Sequence, residues 1–345
     1  MANFQNPKDS MKSTWAKDKS KWRFQHYIVS FLDPFTFDPK TPYPTFKKTD
    51  PVPYLTHWSS HVFILAHALW PIALQYTFYQ LTGHNIHPIF AYLLYSFAFK
   101  ANSAHQLRIL QRLAQKVGFY DGDVHARDQI PDVGVEKAFT SVQLTTSIRP
   151  LYTLLLTYNS TTAPSISWTL PLELAAYSII LDLWFYIYHR ACHEIDFLWR
   201  YHRTHHLTKH PTPFLSAYSD TEQEIIEIAL VPILTWGTLK LLGFPMGFYD
   251  WWICHQYLIF AEAFGHSGLR VFSCAPGTSS FFLRFVGAEL TTEDHDLHHR
   301  KGYRKSTNYG KQTRLWDVCF GTAGERIEAR DGNVDYGNSI DFPLI

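Results

Sequence analysis

Three short histidine boxes constrain this chain more than any other feature. Tyr188-His-Arg-Ala-Cys-His-Glu194 is followed eight residues on by His202-Arg-Thr-His-His206, and the pattern returns in His295-Asp-Leu-His-His299. Eight of the 19 histidines fall in these boxes. Residues three and four apart share a helix face, so His189 with His193, His202 with His205 and His206, and His295 with His298 and His299 each aim imidazoles in one direction. Neutral imidazole is the commonest side-chain ligand of transition metals. Eight imidazoles overfill a single four-coordinate zinc and suffice for two metals with open positions. Lone histidines such as His57, His61, His67, His84 and His125 read instead as packed or surface residues.

The sequence around the boxes is apolar. His57 to Leu81 has the length of a bilayer span, with Trp58 and Trp70 as interface anchors and Pro71 as a kink. Ile86 to Phe99 is a second apolar run, leading into an amphipathic segment from Ala104 to Val117 with Arg108, Arg112 and Lys116 on one side. Gly118 to Gly134 reads as a loop. Ala138 to Tyr158 and Trp168 to Tyr188 form another pair, and Glu224 to Leu242 and Met246 to Phe264 make a last hairpin around Gly243-Phe-Pro245. The first box begins where the Trp168 helix leaves the hydrocarbon. Arg190, Arg200, Arg203, Lys209, Arg300, Lys301, Arg304 and Lys305 adjoin the boxes, which places them on the cytosolic side by the positive-inside rule. The expected fold is all-α: an integral membrane helical bundle of about four to six membrane helices in hairpins, with a cytosolic histidine-rich helical cap.

Four segments are expected: an irregular cytosolic lead-in at 1–57, membrane hairpins at 58–160, a catalytic domain at 161–322 and a tail at 323–345. The lead-in is lysine-rich and then proline-rich, and its first residues lack the apolar core of a secretory signal. Aromatic residues make up 17% of the chain, which suits a membrane interface better than a cytosolic core. Formal net charge is +1, too small for a broad nucleic-acid surface. Cys192, Cys254, Cys274 and Cys319 lie far apart without a CxxC pair, which excludes a disulfide scaffold and a thiolate zinc site.

The order HxxxH, HxxHH, HxxHH within hydrophobic hairpins resembles the fatty acid hydroxylase and sterol desaturase superfamily of membrane non-haem di-iron oxygenases. The resemblance covers roughly Trp168 to Thr322. Asn308-Tyr-Gly310, Leu315-Trp-Asp317 and Phe320-Gly-Thr322 resemble the segment after the last box in sterol desaturases and hydroxylases. It implies two irons per chain, O2 as co-substrate, and attack on an unactivated C–H bond that gives an alcohol or an alkene. The implied ligands are His189, His193, His202, His205, His206, His295, His298 and His299. The family also has a histidine in the last hairpin, matched by His266 in Gly265-His-Ser-Gly268, and His255 resembles a position in the sterol hydroxylase branch. Eleven residues of straight helix span about 16 Å, so one straight helix cannot offer both to one metal pair. Gly265 and Gly268 end the helix there, which favours His266 and leaves His255 as the lesser candidate beside its reading as a packed histidine.

Acidic and polar neighbours are expected to orient the imidazoles. Asp182 lies seven residues before His189 on the same helical face, and Glu262 four before His266. Glu194, Asp294 and Asp296 adjoin boxes and read equally as solvated or salt-bridged acids, and Asn308 with Tyr309 and Trp316 packs or bonds around the last box. Pro213-Phe-Leu-Ser-Ala217 resembles a family segment that re-enters the membrane, and is expected along the substrate channel.

The expected substrate is a hydrophobic small molecule: a sterol, a terpenoid or a long acyl chain. The box Asp294 to His299 looks like sterol hydroxylases and the Asn308-Tyr-Gly310 tail like sterol C5-desaturases, so hydroxylation or stepwise oxidation is favoured and desaturation is the alternative. A zinc hydrolase lacks its HExxH motif here. A membrane metal-binding or transport protein is the alternative of another class, but histidines for transport belong mid-helix along a path. No haem or nucleotide motif appears, so electrons are expected from a separate b-type cytochrome or reductase docking on the basic residues, Arg300, Lys301 and Arg304 among them. The resemblance places the protein in the endoplasmic reticulum membrane, embedded in membrane lipid, with its site facing the cytosol.

Overall fold

A computed structural model of the chain describes residues 7–33, 42–121 and 127–345. The expectations of an irregular lead-in at 1–6 and 34–41 and of a non-ligand His125 lie outside the described residues.

Helix α1 (Phe24–Leu32) and strand β1 (Val52–Leu55) precede four long helices, α2 (His57–Thr82), α3 (Pro88–Val117), α4 (Val135–Thr157) and α5 (Leu170–Glu194). Short elements follow: α6 (Asp196–His202), the 3-10 turns His205–Leu207 and Pro213–Ala217, and α7 (Thr221–Ile225), which passes through a π turn at Ile226–Leu230 into α8 (Val231–Leu241). Helix α9 (Phe248–Gly265) completes the bundle. Helices α10 (Ser280–Phe285), α11 (Thr292–Arg300) and α12 (Leu315–Cys319) and strand β2 (Val334–Ile340) finish the chain.

Helix ends follow local chemistry. Helix α2 stops at Gly83, whose φ of +71° is open to glycine and whose N–H returns 2.8 Å to the Tyr79 carbonyl. Helix α3 starts on Pro88, with the His87 imidazole accepting the Ile89 N–H. The two runs Ile86 to Phe99 and Ala104 to Val117 form one continuous helix of 30 residues, because neither Gly nor Pro separates them. Pro71 lies inside α2 without ending it.

Helix α9 is the central post. It is buried over most of its circumference and packs against α2, α3, α4 and α5. Trp252 meets Tyr95 and Phe99 of α3 edge-on, at ring separations of 4.8 and 5.7 Å, and Trp251 stacks on Trp236 of α8 at 5.2 Å. A post held this way fixes its C-terminal end, where His266 follows.

Among the described residues two helices, α2 and α5, are long and apolar enough to cross a membrane. Large apolar side chains stay exposed on their outer faces, with Trp58 at 72% and Leu172 at 59%. The other long helices carry internal polar groups, such as Lys100 and Asn102 in α3 and Arg149 in α4.

The chain is mostly helical, as expected, and the structure adds a short ribbon to the bundle. Strand β1 pairs in parallel with β2, Val52 opposite Val334 and Leu55 opposite Ile340. The stretches read as an irregular lead-in and a tail therefore form a ribbon, and α1 adds nine helical residues to the lead-in. Pairing between segments so distant in sequence leaves no periodic local signal. A fully buried ion pair anchors the ribbon: Arg270 Nε lies 2.8 Å from Glu328, and Arg270 Nη1 donates to the Pro51 carbonyl at 3.0 Å.

Candidate metal centre

The boxes take their places from helix ends. His189 and His193 sit one turn apart at the C-terminal end of α5, His202 closes α6, and His205 and His206 occupy the 3-10 turn after it. Helix α9 ends at Gly265, His266 caps it, and Gly268 turns the chain away at a φ of +61°. Helix α11 carries His295, His298 and His299, and starts with a capping box in which Asp294 accepts the Thr291 N–H at 2.8 Å.

Nine buried histidines form two adjacent groups. His189, His193, His202, His206 and His298 make the first, and His205, His266, His295 and His299 the second. The ligand atoms of each group lie within 4.8 Å of one another. Neighbours in sequence divide between the groups, His205 from His206 and His298 from His299, so each HxxHH box serves both. Nitrogens crowd the centres: His298 Nε2 lies 3.1 Å from His206 Nε2, and His266 Nε2 lies 3.2 and 3.0 Å from those of His205 and His295.

Backbone carbonyls set the ring orientations. His189 Nδ1 lies 2.9 Å from the Tyr309 carbonyl oxygen, His298 Nδ1 2.7 Å from that of Thr307, His299 Nδ1 3.1 Å from that of Thr208 and His266 Nδ1 2.8 Å from that of Glu262. An Nδ1–H donated to oxygen leaves the Nε2 lone pair facing inward. Burial, reinforced by neighbouring imidazoles, holds His202, His206, His295, His298 and His299 well below the usual histidine range, and burial brings His205 and His266 down to about 4. These rings are neutral at neutral pH, the form that binds metal.

The residues fit metal. His189 Nε2 in the first group and His299 Nε2 in the second are buried with no hydrogen-bond partner. Such atoms are costly unless satisfied, and a cation at the middle of each group satisfies them together. A wholly imidazole donor set suits iron, zinc, copper or nickel and not magnesium or calcium.

The other expected site residues have different places. His255 is outside both groups: it stacks on Trp251 at 5.4 Å and faces Thr153 Oγ1 at 3.2 Å, as a packed histidine on a straight helix must. Among the described residues Asp182 makes no hydrogen bond or ion pair with an imidazole. Seven residues of helix separate it from His189 by about 10 Å, and its carboxylate accepts the N–H groups of Lys311 and Gln312 at 3.2 and 3.0 Å, together with that of Thr313. Asn308, at a φ of +58°, donates to the Asp294 carbonyl at 3.0 Å and accepts the Gly324 N–H at 2.7 Å. It ties α11 to the following loop. Glu262 Oε1 is 3.7 Å from His266 Nδ1, but its Oε2 pairs with Lys311 Nζ at 2.6 Å. Glu194 pairs with Arg190, Asp294 with Arg326 and Asp296 with Arg127 and Arg300. Arg300 is thus buried in ion pairs with Asp296 and Asp121, and does not belong to an open docking surface.

Sequence reasoning missed Lys311, whose Nζ joins Glu227 of the π turn at 3.0 Å to Glu262 of α9. A lone lysine in a loop gives no pattern. It also missed the orienting carbonyls of Thr208, Thr307 and Tyr309, which belong to any residue type.

A cavity of about 400 Å3 reaches Glu262, whose carboxylate lies 3.7 Å from His266 of the second group. Pro213, Phe214, Ser216 and Ala217 line it, as expected of that segment, and so do Glu262 and Lys311.

Comparison with known proteins places this site in a family. The profile described as "Fatty acid hydroxylase" matches residues 174–322. The fatty acid hydroxylase vlmA of a Lecanicillium species is 40% identical over 322 residues, covering 88% of this chain and 87% of the relative. The chain belongs to the fatty acid hydroxylase family. Other relatives of this hydroxylase-family chain match over about half their length. The very-long-chain aldehyde decarbonylase GL1-8 of Oryza sativa subsp. indica is 33% identical over 47% of the chain and 56% of the relative. The methylsterol monooxygenase erg25B of Aspergillus fumigatus is 32% identical over 46% of the chain and 50% of the relative. No solved structure is significantly similar to the chain. This family member is an oxygen-dependent oxidoreductase of lipids in an iron-dependent, membrane-associated family.

Proposed function

We propose that this protein hydroxylates an unactivated C–H bond of an acyl lipid, using O2 and two irons held by the two histidine groups. The observation that carries the reading is the pairing of five with four buried imidazoles beside a cavity large enough for a lipid chain. The near full-length relative is named for fatty acids, whereas the methylsterol relative matches over half its length, which supports an acyl chain over the sterol or terpenoid expected from the box pattern.

Iron bound by these imidazoles supplies the activation of O2. The chain's own residues bind and orient: the carbonyls of Tyr309, Thr307, Thr208 and Glu262 hold four rings in one tautomer, the apolar cavity wall excludes water, and the Lys311 bridge keeps Glu262 beside His266. Electrons come from a separate b-type cytochrome or reductase. The bundle sits in the endoplasmic reticulum membrane, its hairpins at 58–160 and its catalytic domain at 161–322, with the basic rim of the site in the cytosol.

The test is expression with a reductase system, metal analysis and mass spectrometry of the lipid extract. Two irons per chain and acyl products with one added oxygen are expected. Loss of two hydrogens marks desaturation instead, and a change confined to sterols overturns the substrate class.

A further inference from the structure

Among the charged residues that line the cavity, Arg149 is the one with buried side-chain donors that meet no partner. Arg149 of α4 is 4% exposed and lines the cavity, and its Nε and Nη1 are buried without a hydrogen-bond partner. The other charged groups there are answered: Lys311 Nζ is bound by Glu227 at 3.0 Å and Glu262 at 2.6 Å, Lys100 Nζ donates to the Ser147 hydroxyl at 3.0 Å, and Glu224 accepts from the Ser219 hydroxyl. A guanidinium is all donor and no acceptor, and buried donors left unmet cost free energy. The pocket is therefore built for a ligand that brings acceptor oxygens.

Its surroundings give that ligand a shape. Ile228 and Ile259 supply apolar wall, the exposed Phe31 of α1 stands at the rim, and Glu262, one turn before His266, lies on the same cavity. The occupant is long and apolar with one oxygen-bearing end.

We infer that Arg149 binds the head oxygens of the acyl substrate, and so fixes which carbon of the chain faces the histidine groups. This rests on the acyl-lipid reading above. A free carboxylate and an ester carbonyl both offer the sp2 oxygen that a guanidinium takes.

The experiment measures equilibrium binding of hexadecanoic acid, methyl hexadecanoate and hexadecane to the detergent-purified, metal-loaded protein, for the wild type, Arg149→Leu and Arg149→Lys. Arg149→Leu is expected to weaken the oxygen-bearing probe roughly ten- to hundredfold and to leave hexadecane unchanged, with Arg149→Lys between the two. A loss confined to the acid identifies a carboxylate; a loss shared by acid and ester identifies a carbonyl. Equal weakening of all three probes, no change in any, or a wild type that binds neither acid nor ester overturns the inference. Leucine removes a buried guanidinium whose Nε and Nη1 meet no hydrogen-bond partner, so unfolding is not expected, and thermal melting of both variants checks it. Binding is read without turnover, so Arg149-dependent binding in a protein that yields no hydroxylated acyl product counts against the proposed function alone.

Discussion

His189 Nδ1 stands 2.9 Å from the carbonyl oxygen of Tyr309, 120 residues further along the chain. That contact closes the first box against the loop that follows the last one. The same device acts on His298 through Thr307, on His299 through Thr208 and on His266 through Glu262, two rings in each histidine group. Carbonyls hold these rings by hydrogen bonds, and the one carboxylate close to them among the described residues, Glu262 at 3.7 Å from His266 Nδ1, is paired with Lys311.

Division of the imidazoles into two groups predicts separable metal loss. His298→Ala removes a ligand atom from the first group and His205→Ala one from the second. Loss of a partner that only orients a ligand costs about 10–100-fold in metal affinity, and loss of a ligand costs more. Each variant is expected to abolish turnover and to lower iron content, chiefly at its own group. His255→Gln serves as the control, since His255 lies outside both groups, and it should keep its iron. Metal analysis by mass spectrometry decides: full iron in His205→Ala, or iron lost from His255→Gln, contradicts the assignment.

Asp182 acts on the centre at one remove. Its carboxylate holds the backbone N–H groups of Lys311 and Gln312, just beyond the Tyr309 carbonyl that orients His189. Asp182→Asn replaces an acceptor pair with one acceptor and two donors facing N–H groups. The expected cost is about 1–3 kcal/mol of stability. Iron loading should fall less than in any ligand variant. Thermal unfolding with and without iron measures both, and unchanged melting with impaired loading points to direct contact with the metal instead.

Much of the centre was legible in the sequence, and the reasons are local. Helical spacing aligned His189 with His193 and His295 with His299, and Gly265 with Gly268 marked the turn that frees His266 from α9, but spacing alone did not separate His298 from His299 or His205 from His206 into different groups. What escaped has no residue signature or depends on distant pairing. A carbonyl belongs to every residue, so Tyr309 and Thr208 were invisible as orienting groups. Asp182 shares a face with His189 but reaches a loop 129 residues away at Lys311. The β1–β2 ribbon joins Val52 to Val334, and no window of sequence contains both.

Acid should empty and weaken the site. Burial brings His205 and His266 to about 4, below the ordinary histidine value of 6.5. Between those values the unfolded chain takes up protons that the native imidazoles refuse, so stability is full above about pH 6.5 and declines as pH falls toward about 4. Each such group contributes up to about 1.4 kcal/mol per pH unit across that window. Bound metal adds to the dependence, because protons compete for the same nitrogens. Iron retention and melting temperature between pH 8 and pH 4 test this, and a flat profile through pH 5 refutes it.

The basic rim separates into structural and available charge, which sharpens the test of an electron-donor surface. Arg300 is spent on Asp296, at 2.8 Å, and on Asp121, and its side chain is 7% exposed. Arg300→Glu places a third carboxylate among these partners and should cost about 3–5 kcal/mol, so its failure to turn over says nothing about docking. Lys301 and Lys305 are exposed, and Arg200 is exposed beside the second box. Charge complementarity governs association more than final affinity and fades with salt. Lys301→Glu with Lys305→Glu is therefore expected to slow reduction by an acidic carrier roughly tenfold at low ionic strength, with iron content and melting unchanged and with the difference shrinking as salt rises. Stopped-flow reduction by the purified carrier measures it, and an unaltered rate at low salt removes this face from consideration as the donor's docking site.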